Sequence, residues 1–306
     1  MMINQKRILA VIACFMFSVN VALACLNGET LMLKDGFFVY EDYQGRVPHG
    51  HNYAFDTTAL ARELSALDSM YRLNKDLDYL SDKGLVLILM GKYDEAIQLY
   101  LKIEAMSPGR YSTASNIGTA YELYGNNVDA LKWIRRAVQI DEASHDGSEW
   151  IHIKILEAKV DNVQRYASSL LLNTDFGSSA SPVSNKSEKE LNALANQLFY
   201  QLNERVSFVD APDSLIAGLL FDLGNIEFIL GNYENAEDDY VQAQRYGMNK
   251  RLLNIRLGKL RGVLMAPART IDNNVLHWRE VAVGILASGA LVFTIFKIRR
   301  RRRTKS

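Results

Sequence analysis

The sequence predicts an all-α solenoid of helix-turn-helix repeats, with a small N-terminal hairpin region and a C-terminal transmembrane helix. Three observations carry this. The phrase Gly-x-Tyr-x-x-Ala-x-x-x-Tyr occurs twice, at 91–100 and 231–240. A degraded copy keeps Gly125, Ala130 and Ile134, displaced from Gly91, Ala96 and Tyr100 by 34 residues each, and the same shift carries Gly84 onto Gly118. Finally, two long uncharged apolar stretches stand near the chain ends.

Residues 1–24 read as a signal peptide. Lys6-Arg7 precedes the apolar run ILAVIACFMFSVNVALA, and Ala22-Leu23-Ala24 has the small-x-small form of a cleavage site. Cys25 would then be the first residue after cleavage and the only cysteine left, so no intramolecular disulfide is expected. Ala22 to Cys25 also looks like a degraded lipobox, although ordinary cleavage fits better.

Residues 25–55 form a separate small region. Leu31 to Leu33 and Phe37 to Tyr40 are short apolar runs separated by Lys34-Asp35-Gly36, and Asp-Gly between apolar runs predicts a tight hairpin. A capping helix follows, with Thr57 or Thr58 as its cap and Leu60, Leu64, Leu67 and Tyr71 as its seam. It opens the segment 56–172, which holds the first repeats. Gly84, Gly118 and Gly224 are small where antiparallel helices approach closely, and Gly91, Gly125 and Gly231 end first helices with left-handed backbone.

These residues carry a resemblance to the tetratricopeptide repeat family. Gly84, Gly91, Tyr93, Ala96, Tyr100 and Pro108 fit its pattern at 77–110; Gly118, Tyr121, Gly125, Ala130 and Ala137 fit at 111–144; Gly224, Gly231, Tyr233, Ala236, Tyr240 and Ala243 fit at 217–250. The unit from His145 departs from it, with His152 and Lys159 where two glycines would fall. Its first helix is predicted from Ser148, running on to Tyr166. CLNGE, VPHGH, GSEWIHIKILEAK and LLFDLGN also make the chain similar to envelope-anchored repeat proteins of Bacteroidetes-type bacteria, a group that brings no established activity with it.

Residues 173–187, rich in Ser, Asn and Gly, read as a linker. The segment 188–265 then holds a helix with Leu191, Leu194, Leu198 and Leu202 on one face, the last repeat, and a terminal helix that covers it. The competing reading of that basic terminal helix places it on anionic lipid. After a linker at 266–280, residues 281–298 read as a transmembrane helix, which at ~1.5 Å per residue only just spans a ~30 Å hydrocarbon core. The arginine-rich tail, 299–306, places the repeats on the periplasmic side of the inner membrane by the positive-inside rule.

Nine of the 35 basic residues lie before Cys25 or after Phe296, leaving 26 against 35 acidic ones between them. That acidic body argues against a nucleic-acid partner. No nucleophile elbow, phosphate-binding glycine loop, His-Glu-x-x-His or Cys-x-x-Cys is present, so no enzyme and no cofactor are expected. The rival reading is a metal-binding or enzymatic module built from Cys25, His49 and His51. Acidic pairs such as Asp238-Asp239 read as the wet face of a repeat helix.

The resemblance implies a protein or peptide partner in a concave groove lined by first helices. It points to Asp78, Ser81, Leu85 and Ile88, then Ser112, Ser115, Thr119 and Glu122, then Glu149, Ile153 and Leu156. Leu85, Ile88, Ile153 and Leu156 fit the core equally well. Relatives that bind chaperone tails hold a terminal carboxylate with Lys and Asn at such positions. Here Ser81, Leu85, Ser115 and Thr119 stand there, which points away from that ligand.

Overall fold

The computed structural model describes residues 30–163, 166–248 and 250–265. The predicted signal peptide, Cys25, the predicted 266–280 linker, the predicted transmembrane stretch 281–298 and the basic tail all lie outside the described residues. No helix among the described residues is long and apolar enough to cross a membrane.

The hairpin forms where Asp35-Gly36 predicts it. Gly36 takes φ +95°, its N–H donates to the Leu33 carbonyl, and strand β1 (Thr30–Met32) pairs antiparallel with β2 (Phe38–Asp42). A third strand that the sequence reading missed, β3 (His51–Tyr53), adds to the other edge of β2.

The capping helix is α1 (Thr57–Asn74), but its cap is Asp56, one residue before the predicted threonines. The Asp56 carboxylate accepts from Ala59 N–H at 2.7 Å and from the Thr58 hydroxyl, taking the role expected of Thr57 or Thr58. Leu60 and Leu67 of its seam are buried beside Leu33 and Val39 of the sheet and Tyr79 and Val86 of the first repeat.

That repeat is α2 (Leu77–Leu89) with α3 (Tyr93–Met106), and the second is α4 (Tyr111–Tyr124) with α5 (Asn127–Ile140). The repeated phrase has one steric reason. A Cβ on Gly84 would overlap the Tyr100 ring, and one on Gly118 would overlap Ile134. The last repeat, α10 (Ser214–Leu230) with α11 (Tyr233–Arg245), copies the first, because a Cβ on Gly224 would lie 2.6 Å from the Tyr240 ring. Each glycine is thus the seat of a large side chain four residues after the small Ala of its partner helix. Ala96, Ala130 and Ala236 are all fully buried.

Between these repeats the register breaks. A four-residue turn of helix, α6 (Ser144–Gly147), leads into α7 (Glu149–Val160), which ends well short of Tyr166. Asn162 takes φ +51°, Val163 N–H donates to the Ala158 carbonyl and Asn162 N–H to that of Lys159, a Schellman closure that stops the helix. No second helix pairs with it among the described residues; the chain passes to a single turn, α8 (Ser168–Leu171). Tyr166 instead seats its ring on Gly218, the contact that a second helix makes elsewhere.

Helix α9 (Glu188–Val206) opens with a Ser187–Glu190 capping box and buries Leu191, Leu194, Leu198 and Leu202 on the predicted face. The terminal helix α12 (Arg251–Leu264) covers the last repeat with Leu253, Leu257 and Leu260. Arg256 on the same face is fully buried. Its guanidinium donates to Asn225 Oδ1 and to the carbonyls of Phe176, Gly177 and Ser179. The 173–187 segment, read from its composition as a linker, is pinned to the core at those carbonyls, with Phe176 buried.

The N-terminal region ties the two helical blocks together. At one end Lys34 N–H donates to Asp82 at 2.7 Å, while its ammonium pairs with Asp76 and Asp78. At the other, Gly50 N–H donates to Asn203, His51 N–H to Ser207, and Gln242 Nε2 to the Pro48 carbonyl. Arg46 reaches Asn196 and the buried Glu227.

Candidate functional site

Helices α2, α4 and α7 are the first helices of their units, and their shared face is where a groove is expected. The chain fills much of that face itself. Phe208, just after α9, packs against the apolar cluster of Leu80, Leu87, Ile88 and Ile117, and Arg205 reaches Glu122 on α4. What remains is a cavity of about 340 Å³, near the lower end of the ~300–1,000 Å³ usual for ligand sites.

Four of the eleven predicted groove residues line this cavity: Ser115, Thr119, Glu122 and Glu149. The other seven do not. Asp78 is paired with Lys34 and Arg110. Ser81 is buried, its carbonyl accepting from the Tyr100 hydroxyl at 2.8 Å. Ile88 and Leu156 belong to the core, Leu85 packs partly buried beside the sheet, Ile153 packs beside Ala130 and Ile134, and Ser112 is exposed.

The cavity floor is a chain of buried charges. Glu122 accepts from Lys159 at 2.7 Å and Arg205 at 2.8 Å through one oxygen, and lies 2.7 Å from His152 Nε2 through the other. His152 Nδ1 is 3.3 Å from Glu149, which also faces His145 Nδ1 at 2.5 Å and the Tyr111 hydroxyl at 3.2 Å. Burial pushes the Glu122 carboxyl up, but Arg205, His152 and Lys159 together hold it well below the usual range. For His152, burial and Arg205 lower the pKa, and Glu122 and Glu149 more than offset them, so it is raised. Burial pushes the Glu149 carboxyl up as well, but His145 and His152 hold its pKa below the usual carboxylate range, favouring the ionised form.

The local backbone is bent to build this floor. His145 and Asp146 adopt left-handed φ values of +52° and +54°, a conformation that costs energy in residues other than glycine. Gln197 and Gln201 of α9 hold the turn, donating to the Gly147 carbonyl and to the buried Ser148 hydroxyl. The His145 ring stacks on Tyr200 at 4.7 Å.

Sequence reasoning missed His145, His152, Lys159 and Arg205 as members of the site. A signal was there. His152 and Lys159 stand where the repeat period puts glycines, and Arg205 follows Leu202 by three residues on the buried seam of α9. One reading is corrected outright: Asp239 is not on a wet face but fully buried, with neither carboxylate oxygen hydrogen-bonded among the described residues. Burial raises its pKa well above the usual value, and neighbouring Glu227 and Asp238 raise it further.

Of the rival metal reading, Cys25 lies outside the described residues, and the two histidines have other neighbours. His51 places Nδ1 2.6 Å from Asp42 and Nε2 3.3 Å from Glu204, and its ring stacks on Tyr40 at 3.7 Å. His49 is exposed, with Gln242 3.3 Å from its Nδ1. Among the described residues no group of three His, Cys, Asp or Glu side chains is arranged to hold a metal ion.

Comparison with known proteins follows the repeats. The tetratricopeptide repeat family model matches residues 77–109 and 217–246, so the chain carries tetratricopeptide repeats at both ends of its helical array. Such repeats generally serve as protein-interaction scaffolds. No curated protein matches the chain. Among solved structures it is similar to the MamA RS-1 ArsTM double mutant, at 12% identity over 68% of this chain and 88% of that one, with a TM-score of 0.35. It is also similar to TTC0263, a thermophilic tetratricopeptide repeat protein of Thermus thermophilus, at 14% identity over 67% and 93%, with a TM-score of 0.32. A tetratricopeptide repeat protein from Parabacteroides merdae aligns at 14% identity over 67% and 94%, with a TM-score of 0.31.

Proposed function

We propose that the chain is an interaction adaptor of the bacterial cell envelope, exported, tethered to the inner membrane through residues 281–298, and facing the periplasm with its repeats. The partner engages the face formed by α2, α4 and α7, at the cavity lined by Ser115, Thr119, Glu122 and Glu149. The observation that carries this reading is that four of the predicted groove residues line one open recess with mixed polar and apolar walls. The remaining predicted groove positions are taken up by the core, the sheet or ion pairs, apart from the exposed Ser112. Glu122 and Glu149 are held by the buried ion pairs of the floor, while the partly exposed Thr119 on the recess wall is not used by the apolar core and can meet another molecule.

Affinity capture tests the place of binding. Thr119→Trp fills the recess, whereas Val128→Trp alters α5 at a residue 66% exposed and away from it. The reading expects captured proteins to be lost with Thr119→Trp and retained with Val128→Trp, both variants melting like the wild type. Capture at wild-type yield with Thr119→Trp would overturn it. For the tether, a reporter active only outside the cytoplasm should be active when fused after Asn274 and silent after Ser306. The opposite pattern would refute the orientation.

A further inference from the structure

We infer that the cavity between α4, α7 and α9 is a receptor site for a small organic acid, a carboxylate carried on a compact apolar body. The inference rests on the proposed function only for the location of the recess. Its ligand is a free small molecule and not the protein partner.

The charge balance on the floor points to an anion. Glu122 and Glu149 are met by three cations that converge on them: Lys159, Arg205 and His152. Two further carboxylates line the cavity away from those cations: Glu204, 3.3 Å from a His51 imidazole that also pairs with Asp42, and the exposed Asp210, whose charge solvent screens. His145 faces Glu149 as well, so the pair of carboxylates is more than satisfied.

Hydrogen-bond capacity points the same way. Arg205 is only 8% exposed, it lines the cavity, and its Nε–H finds no acceptor among the described residues. A guanidinium is built to grip a carboxylate with a fork of donors, and Nη1 is the nitrogen engaged on Glu122. Lys159 has three ammonium donors, with one acceptor in Glu122 Oε1. Both side chains thus neutralise Glu122 and retain donors for a second anion. The apolar part of the lining comes from Leu123, Phe208 and Val209 with the ring of Tyr93. An acid whose carboxylate meets Arg205 and Lys159 and whose body lies on Phe208 and Leu123 satisfies both kinds of lining. The recess is too small for a helix: at about 340 Å³ it holds one compact group, whereas a packed α-helix is roughly 10 Å across.

The test is calorimetric titration of the purified full chain with 3-phenylpropionate, 3-phenylpropionamide and 3-phenylpropylammonium, which share a body and differ in charge. A second arm uses the peptide acetyl-Ala-Ala-Ala-Phe with a free or an amidated C-terminus. We expect saturable binding of 3-phenylpropionate at one per chain, about tenfold or more tighter than the amide, and no binding of the ammonium. Arg205 is buried enough that its replacement could unfold the site, so Lys159→Gln and Thr119→Asp are the variants, with folding checked by melting. Lys159→Gln should weaken 3-phenylpropionate about tenfold, and Thr119→Asp should do so at least as much by adding a like charge. Equal affinity for acid and amide, no saturable binding of the acid, or unaltered binding by both folded variants would overturn the inference. Binding of the free-carboxylate peptide without the small acid would also overturn it, by making the recess a reader of chain ends. Partner capture that survives Thr119→Trp, with acid binding by the wild type intact, would count against the adaptor reading alone.

Discussion

Removing the charge of Glu122 should destabilise the fold more than removing any exposed acid. In Glu122→Gln the shape is kept, and one amide oxygen remains to accept from Lys159 or Arg205. The other position becomes an NH2 that confronts His152 at about the 2.7 Å now occupied by an ion pair. Arg205, 8% exposed, and His152, 9% exposed, are then left buried without the carboxylate that neutralises them. Breaking a buried pair from one side typically costs about 3–5 kcal/mol, and the retained oxygen argues for the lower end. Glu157 supplies the control. It pairs with Arg135 and Lys154 at the surface, where such contacts contribute about 0–1 kcal/mol. Urea unfolding at pH 7, followed by circular dichroism, should show the first variant weakened by about 3 kcal/mol and Glu157→Gln by less than about 1 kcal/mol. Because the Glu122 pKa is depressed on folding, its contribution is present above the unfolded carboxyl pKa and is lost as pH falls through the folded value. The difference between wild type and Glu122→Gln should therefore shrink in acid. Equal small losses in the two variants would refute the buried hub.

The remaining predictions concern the tie, the repeats and the terminal helix. Burial lowers the pKa of His51, but Asp42 and Glu204 lift it to about 9 from 6.5. Its stabilisation, at most about 3 kcal/mol, is complete below about pH 6.5 and lost as pH rises through about 9; urea midpoints between pH 6 and 10 should show that slope in the wild type and lose it in His51→Gln. Gly224→Ala should destabilise by about 1–3 kcal/mol by forcing the Tyr240 ring away. Gly258→Ala, in an exposed stretch of α12 with open space around it, should stabilise by about 0.5–1 kcal/mol, so thermal melts must move in opposite directions. Arg256→Met leaves the carbonyls of Phe176, Gly177 and Ser179 without their donor, and hydrogen exchange at 176–183 should accelerate while the first repeat, 77–106, keeps its protection.

The repeats are legible in the sequence because their code is steric and local: a glycine on one helix and a large side chain on the next must recur at fixed spacing for antiparallel helices to approach. Asp35-Gly36 is legible for the same reason, since a tight turn has few sequence solutions. Strand β3 is not, because its three residues have no alternating run of their own and form a strand only by pairing with β2. The site is half legible. Ser115, Thr119, Glu122 and Glu149 are implied by the family resemblance, but Arg205 comes from a helix outside any repeat, and its partnership with Glu122 bridges a large sequence separation. His152 and Lys159 depart from the repeat for a reason that only the folded chain supplies. The two positions neutralise Glu122 instead of seating a second helix, which that unit lacks among the described residues. Asp239 is misread from sequence because an acid on a helix that begins Tyr-Glu-Asn-Ala looks solvated, whereas this helix is also met by the N-terminal tie, at Gln242 by the Pro48 carbonyl.

The claim on which the account turns is that a partner meets the chain at the recess between α4, α7 and α9. Site-specific photocrosslinking in cells tests it most directly, with the crosslinking side chain placed at Thr119 inside the recess and at Val128 outside it. The account predicts a discrete adduct from Thr119 that disappears in the Thr119-substituted chain carrying Lys159→Glu and Leu123→Glu, and none from Val128. Adducts from Val128 with none from Thr119 would contradict it.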